Sequence, residues 1–286
     1  MAKLNVAIPS SLVADTPHLR EKTTKLGAIA RACAIFGVKE IILYSDSAAH
    51  EQGQDLQLCT ELLNFIETPQ YLRKRLFGLK PSLKFTGILP PLQIPSHDVP
   101  RSVRECKPND VREGLVVNKR GDALMVDVGL ERLLVCRAVG EVGTRHTFRL
   151  TSVGKDLKGE ILEQSTIAGV QKYWGYKVEH ASSLGRLIQQ GSFDLKIGTS
   201  RYGSSIVEVW MPLKNAVQTA KSILIVFGSP RMGLREILEQ EKLKPTDVFD
   251  YYVNTAPNQR TATVRTEEAL LASLGILNLA RASSDS

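Results

Sequence analysis

Strand-forming and helix-forming segments alternate at both ends of this chain, and the alternation stops in the middle. Near the start, the apolar run KLNVAIP precedes a helical stripe ended by Gly37, and the buried-strand pattern VKEIILYS follows. The alternation resumes at about residue 165 and closes with the apolar helix pattern TEEALLASLGILNLA. Such alternation predicts an α/β fold, a parallel sheet with helices on its faces. LKFTGILPP is predicted to add a further strand to the first part.

The middle of the chain has a different pattern. After Pro91, short runs rich in Val and Leu alternate with glycine-containing turns, and the turn KRGD at 119–122 is a hairpin signal. No helical period interrupts this region until about residue 160. We therefore predict that residues 1–92 and 164–286 form the two parts of an α/β domain, and that 93–163 form an inserted β-barrel. Barrels of OB or SH3 size often hold nucleic acid, although many only mediate protein contacts.

Composition excludes several classes of protein. At 43% apolar and 23% charged residues, the chain is typical of a soluble globular protein, and no apolar run approaches the roughly 18 residues that span a bilayer. The N-terminus is too polar for a signal peptide, and the four cysteines are scattered, which indicates reduced thiols in a cytoplasmic protein. Neither the cysteines nor the histidines have the spacing of metal ligands, so we expect no metal.

The excess of positive charge on this chain would allow it to bind a polyanionic partner. The formal net charge is +7, with a pI near 9.2. The densest basic cluster is YLRKRLFGLK, where Arg73, Lys74 and Arg75 lie among aromatic residues. Such a cluster suits phosphate contacts and base stacking, but on a helix it is equally well explained as a solvated face.

Polar or glycine-rich loops follow each of the last three predicted strands. They are GTSRYG (198–203), FGSPRMG (227–233) and NTAPNQRTATVRT (254–266). Ligands of parallel α/β sheets bind at the carboxyl ends of the strands, so three such loops predict a cofactor crevice. No P-loop, GxGxxG or GxSxG motif is present, and ordinary turns remain the alternative.

The residues of these loops carry a family resemblance. IGTSRYG, ILIVFGSPRMGL and YYVNTAPNQRTATVRTEEALLASLGILN resemble the successive cofactor motifs of SPOUT-class methyltransferases. The sequence is most similar to the archaeal and eukaryotic subgroup with a barrel inserted into the SPOUT domain. The resemblance implies a C-terminal trefoil knot, S-adenosyl-L-methionine as cofactor, a homodimer, and N3-methylation of a uridine in large-subunit ribosomal RNA.

The resemblance also implies roles for individual residues. Gly228 would let the chain approach the cofactor, and Val264–Ala269 would close the pocket. The last helix would pack on the knot and on a partner subunit through Leu270, Leu274 and Leu277. The family's usual Pro-Gly-Gln is Pro257-Asn258-Gln259 here, and Asn tolerates the left-handed backbone that this turn needs. The full cofactor-binding set predicted in this way is Gly228, Asn254, Thr255, Gln259, Val264, Thr266 and Ala269.

Methylation of uridine N3 requires loss of its proton, and a nearby cation would favour the anion. We assign that catalytic role to Arg201, although the family's arginine lies one position away. Arg260 and Arg265 are alternatives that would otherwise bind RNA phosphate, together with Arg73, Lys74 and Arg75, or form ion pairs with Glu267 or Glu268. Other open possibilities are methylation of a ribose 2′-O or a purine N1, a cofactor-binding ribosome-assembly factor without turnover, and a plain RNA-binding module.

Overall fold

The computed structural model describes residues 2–46, 52–163 and 173–282. The chain divides into two compact units. The first comprises 1–66, 82–90 and 176–286, and the second comprises 67–81 and 91–175. Each is described separately below.

A parallel sheet forms the centre of the first unit. Its six strands have the order β11-β9-β10-β1-β2-β8, and every neighbouring pair is parallel. The strands are β1 (Lys3–Pro9), β2 (Val38–Tyr44), β8 (Lys177–Ala181), β9 (Leu195–Ser205), β10 (Ser222–Val226) and β11 (Tyr251–Asn254). The central strands β1 and β10 are almost wholly apolar and buried, as expected for a sheet covered on both faces. The predicted α/β class is confirmed.

Helices connect these strands. They are α1 (Leu19–Ile35), α2 (Gln52–Glu67), α4 (Leu184–Gln190), α5 (Ile206–Thr219), α6 (Leu234–Gln240), α7 (Pro245–Val248) and α8 (Thr266–Ala282). The closing helix α8 packs against both α1 and α5. Its residues Leu270, Leu274 and Leu277 are buried within the chain.

The predicted strand at LKFTGILPP is wrong. Two short 3-10 turns, Pro81–Leu83 and Thr86–Ile88, occupy this stretch. The side chain of Leu89 covers Gly27 of α1 so closely that a Cβ at Gly27 would lie 2.5 Å from the Leu89 Cδ2. Leu89 thus covers a helix, and an apolar run alone does not distinguish that use from a buried strand.

The second unit contains a closed five-stranded barrel with the order β3-β4-β5-β7-β6. The strands are β3 (Val111–Arg120), β4 (Ala123–Asp127), β5 (Leu134–Arg137), β6 (Arg145–Ser152) and β7 (Lys158–Ile161). Their inward side chains, including Val116, Val126 and Phe148, form a single apolar core. The predicted all-β insert is therefore present.

Residues 67–81 belong to this second unit. The sequence pattern predicted them to lie in the α/β domain, as part of segment 1–92. They carry helix α3 (Gln70–Phe77), whose Tyr71 lies against Gly129 and donates a hydrogen bond to the Glu113 carbonyl at 3.0 Å. Arg145 of β6 bonds the carboxylates of both Glu67 and Glu113. The bonds of Tyr71 and Glu67 join segment 67–81 to the barrel although 42 and 78 residues, respectively, separate the partners in sequence.

Candidate active site

A cavity of about 500 Å³ opens in the first unit beside the second half of β9 and the carboxyl ends of β10 and β11. This volume lies within the range of about 300–1,000 Å³ of small-molecule and cofactor sites. Residues of all three predicted loops line the cavity, together with the start of α8 and two residues near α1. The expectation that the three loops share one crevice is confirmed.

The first loop is a bulge inside a strand. The pairing of β9 with β11 passes from Gly198, opposite Tyr252, to Ser204, opposite Val253. Residues 199–203 are therefore left out of the register, although the strand continues to Ser205. GTSRYG was expected to follow the strand, whereas it leaves the sheet and returns to it.

Arg201 projects from this bulge. Its guanidinium donates to the Ala262 carbonyl at 3.0 Å and to the Tyr202 hydroxyl, and it lies 4.6 Å from the Tyr202 ring centroid. Both side chains are exposed and line the cavity. Arg201 thus ties the β9 bulge to the loop after β11 while leaving a positive charge at the cavity.

The second loop closes on itself. The Ser229 backbone N–H donates to the Met232 carbonyl at 2.8 Å, and the Met232 N–H donates to the Ser229 hydroxyl at 3.0 Å. A Cβ at Gly228 would lie 3.1 Å from the Gly233 Cα and 3.1 Å from the Met232 oxygen. Both neighbours are backbone atoms and cannot rotate away. A side chain at position 228 would therefore force the backbone of the loop to shift by a few tenths of an ångström, apart from any approach of a ligand.

Side chains of the third loop mostly bond to backbone. The Asn254 amide nitrogen donates to the Arg201 carbonyl at 3.1 Å, and the Asn254 oxygen accepts from the Ala256 N–H at 3.0 Å. The Gln259 amide donates to the Thr261 carbonyl at 3.0 Å. Asn258 has φ of 60°, so the predicted left-handed turn residue is confirmed. Asn254 and Gln259 therefore shape the loop, and both residues also line the cavity.

The third loop leads directly into α8. Glu268, in the first turn, accepts a hydrogen bond from the Arg265 backbone N–H at 2.9 Å. This is the glutamate half of a capping box and fixes where the helix begins. The Arg265 side chain is exposed at the cavity. The expected alternative, an ion pair of Arg265 with Glu267 or Glu268, is not among the ion pairs of the described residues.

The sequence as a whole matches a known family. A family model described as "Putative RNA methyltransferase" matches residues 3–277. The chain belongs to this family. Two relatives, from Mus musculus and Homo sapiens, are each named 28S rRNA (uridine-N(3))-methyltransferase and are each 35% identical over 96% of this chain. The match covers 75% of the mouse protein and 77% of the human protein.

A solved structure is also similar. The SpoU methyltransferase AviRb from Streptomyces viridochromogenes covers 99% of this chain and 61% of its own, at 11% identity and a TM-score of 0.34.

The cavity of this RNA methyltransferase brings together most of the predicted site residues. Arg201, Arg265 and all seven predicted cofactor-binding residues line it. Arg260 is exposed in the third loop but does not line the cavity. Arg73, Lys74 and Arg75 lie on α3 of the other unit, where Arg73 bonds the Thr68 carbonyl and Arg75 pairs with Asp127. The roles of all these residues stay predictions.

Two charged residues of the cavity were not predicted. Asp15 and Lys25 line it from the β1–α1 connection and from α1, and their side chains form an ion pair at 2.9 Å. Burial raises the pKa of the Asp15 carboxyl, but its hydrogen bond and charge interaction with Lys25 outweigh burial, so this pKa lies below its usual value. The sequence did contain a signal for Lys25. This charged residue lies directly before Leu26 and four residues before Ile29, in the apolar part of the first predicted helix.

No group of three potential metal ligands occurs in the described part of the chain. Within the same residues, no helix combines the length and the apolarity needed to cross a membrane. All four cysteines are free and buried.

Proposed function

We propose that this protein transfers a methyl group from S-adenosyl-L-methionine to N3 of a uridine in large-subunit ribosomal RNA. The family supplies the reaction class, and the names of the mouse and human relatives point to the uridine. The observation that carries the proposal is that the β9 bulge, the loops after β10 and β11 and the start of α8 surround one cavity of cofactor size.

The residues of the cavity fit this cofactor. A nucleoside with an amino-acid tail needs many short hydrogen-bonding groups, and the lining offers Thr199, Ser200, Thr255, Thr263 and Thr266. The Asn254 and Gln259 side chains, which bond to backbone groups of the third loop, would hold that loop in shape around the cofactor. When bound, the cofactor supplies an electrophilic methyl group on its sulfonium.

The chain itself positions the two reactants. Methyl transfer is an in-line displacement, so holding N3 in front of the methyl group is the main task of the site. Arg201, whose charge lies at the cavity and whose guanidinium is tied to the Ala262 carbonyl, would favour the N3 anion. The target uridine must be unpaired or extruded, because N3 lies on the Watson–Crick edge.

The surrounding RNA would be held by exposed cations and by the barrel. Arg260 and Arg265 lie on the third loop of the cavity, and Lys74 is exposed on α3. Arg73 and Arg75 are partly engaged within the second unit, so their phosphate contacts would compete with existing bonds. Deletion of 93–163 should weaken RNA binding while sparing cofactor binding. Loss of both would give the barrel a structural role instead.

We extend the proposal to the finer architecture. The five strands of the closed barrel match the strand number of the OB-fold, and the order of the parallel sheet is compatible with a C-terminal trefoil knot. A homodimer would use the exposed apolar side chains of α5 and α8, namely Val207, Met211, Leu271 and Leu279. Leu270, Leu274 and Leu277 are buried inside the chain and are not available to a partner. We propose a cytoplasmic site of action.

Two measurements test the proposal. Calorimetry with S-adenosyl-L-methionine should show binding, and mass mapping of ribosomal RNA from a deletion strain should show the loss of one N3-methyluridine. A missing 2′-O-methyl or purine N1-methyl group would keep the enzyme and change the target. Cofactor binding without any missing mark would identify an assembly factor, and no cofactor binding would leave an RNA-binding module.

A further inference from the structure

Lys25 is a buried cation in the wall of the cavity. Its side chain is only 6% exposed, and its ammonium lies 2.9 Å from the Asp15 Oδ1 and 3.8 Å from the Glu267 Oε2. The other basic residues that line the cavity are Arg201, Arg231 and Arg265, and all three are exposed. A charge removed from water acts more strongly on a neighbouring charge than one that solvent screens.

The ammonium of Lys25 has donors to spare. It carries three N–H groups, and Asp15 accepts one of them. Glu267 lies beyond hydrogen-bonding distance, and its Oε2 is buried without a hydrogen-bond partner in the described residues. A ligand oxygen in the cavity can therefore be added to this ammonium without breaking the pair with Asp15.

We propose that Lys25 is a catalytic residue that donates a hydrogen bond to a carbonyl oxygen of the target uracil and stabilises its N3 anion. This inference rests on the proposed function. Loss of the N3 proton places negative charge on N3 and on the two ring carbonyl oxygens, which an ammonium can bind. Asp15 holds the ammonium in place and is a positioning residue.

The reaction balances with the groups named. The N3 proton passes to water, N3 forms a bond to the methyl carbon, and the carbon–sulfur bond breaks with its electron pair going to sulfur. A neutral uracil and a sulfonium thus give N3-methyluracil, a neutral thioether and one proton. Lys25 keeps its own protons throughout and acts only on the charge of the base.

The groups around Lys25 come from several elements. Asp15 belongs to the β1–α1 connection, Glu267 to α8, and Arg231 of the second loop reaches the Ala14 carbonyl at 3.4 Å. The thiol of Cys59 on α2 also interacts electrostatically with Lys25, and burial raises its pKa to about 12. The pKa of Asp15 is lowered and that of Cys59 is raised. Neither group therefore changes charge in a neutral to mildly alkaline assay.

The test compares Lys25→Met with Lys22→Met. Lys22 lies one turn earlier on α1 and is paired with Asp55 at 3.0 Å outside the cavity, so the control removes a similar ion pair. Single-turnover methylation should be slowed on the order of 100-fold by Lys25→Met at about pH 7, as for loss of a preorganised charge-stabilising donor. Lys22→Met should leave the rate nearly unchanged, and Lys25→Arg should recover part of it.

A role in stabilising the anion has a signature that a structural role lacks. The deficit of Lys25→Met should shrink as the pH rises from about 7 to about 9, because more uridine is then deprotonated in solution. It should also shrink on RNA carrying 5-fluorouridine at the target, whose fluorine makes N3 more acidic. An equal deficit at every pH and with both bases would overturn the proposal, as would an unchanged rate.

A thermal unfolding transition shows whether the Lys25→Met protein is folded. A second variant, Asp15→Asn, tests the positioning role of Asp15. Asp15→Asn keeps the Lys25 ammonium but loosens its position. Its methylation rate should therefore fall less than that of Lys25→Met, with the same dependence on pH. A loss of rate that is independent of pH would contradict the positioning role. Cofactor affinity, measured by calorimetry, should change little in either variant. If the parent protein methylates no uridine N3, the proposed function fails; if the parent does and Lys25→Met matches it, only this inference fails.

Discussion

The Thr255 Oγ1 and the Ser273 Oγ lie 2.7 Å apart and join the loop after β11 to the buried face of α8. Ser273 is fully buried, so its hydroxyl has little access to water and depends on a protein partner. The short polar residues in front of an apolar helix are thereby explained in part. Thr255 anchors the loop, Asn254 and Gln259 shape it, and the cavity lies on its open side.

Thr255→Val should destabilise the protein. Valine keeps the shape of the side chain but leaves the Ser273 hydroxyl buried and unpaired, which costs about 1–3 kcal/mol. Urea unfolding measures this loss, and Thr255→Ser, which keeps the hydroxyl, should retain most of the stability. The double variant Thr255→Val, Ser273→Ala should recover part of the loss, and simple additivity would contradict the pairing.

Gly228→Ala should weaken cofactor binding and stability together. The new methyl group would press on backbone atoms of Met232 and Gly233, and overpacking of this kind costs about 1–3 kcal/mol. Gly87→Ala is the matched control, because a Cβ there meets nothing within 4 Å. Calorimetry and thermal unfolding measure the two effects. Equal affinities for both variants would show that the second loop relaxes freely.

Glu268→Ala should shorten or loosen the start of α8. Loss of the glutamate half of a capping box costs about 0.3–1.5 kcal/mol. Glu208→Ala is the control, since Glu208 occupies the corresponding first-turn position of α5 and both changes remove a negative charge at a helix N-terminus. Urea unfolding should therefore show a larger loss for Glu268→Ala. Similar losses of stability for the two variants would mean that Glu268 acts only through its negative charge and not through its hydrogen bond to the Arg265 N–H.

Arg201→Ala should slow methylation by roughly tenfold to a hundredfold. This effect should be smaller than that of removing a buried donor, because solvent screens the charge of the exposed Arg201. Cofactor affinity should also fall, since the bond to the Ala262 carbonyl holds the third loop. Single-turnover rates and calorimetry separate the two effects. If the variant methylates RNA as fast as the parent with unchanged cofactor affinity, the role assigned to Arg201 is wrong.

The second unit should lose stability as the pH falls below about 6.5, the usual pKa of histidine. Burial is the main cause that lowers the pKa of His97, whose Nε2 lies 2.6 Å from the Glu67 carbonyl. The unfolded chain therefore takes up this proton at a higher pH than the folded unit does, so acidification favours unfolding. Above about pH 6.5 both states are mostly neutral at this group, and its contribution to the pH dependence becomes small.

His97→Gln keeps a donor for the Glu67 carbonyl and cannot titrate, so its stability should fall less between about pH 7 and about pH 5. Urea unfolding followed by Trp174 fluorescence in a Trp210→Phe background reports on this unit. The remaining titrating groups are common to both proteins and cancel in the comparison. Parallel pH profiles would assign the acid sensitivity to the carboxylates instead.

The sequence was sufficient for features that depend on local pattern. Alternating periods gave the parallel sheet and the barrel, and the carboxyl-end rule placed the three loops around one cavity. The left-handed Asn258 followed from the tolerance of asparagine for that backbone. In each case the information lies within a few neighbouring residues.

Features that depend on distant contacts were not predictable. Lys25 and Glu267 approach each other only because α1 packs on α8, about 240 residues later in the chain. Likewise, segment 67–81 joins the barrel unit because Tyr71 covers Gly129 and Arg145 binds Glu67. The position of Arg201 within a strand bulge, rather than in a loop, depends on pairing with β11 and has no local signal.

The bulge of β9 has a consequence for how a ligand can enter. Because pairing with β11 resumes at Ser204 and Ser205, the segment that carries Arg201 is held at both ends and has no free hinge. The other two loops each run from a strand into a helix and do not return to the sheet, so we expect any opening of the cavity to come from them. Changes in 229–232 or 256–264 should accordingly alter the rates of ligand entry and release, while the reactive geometry set by β9 stays constant.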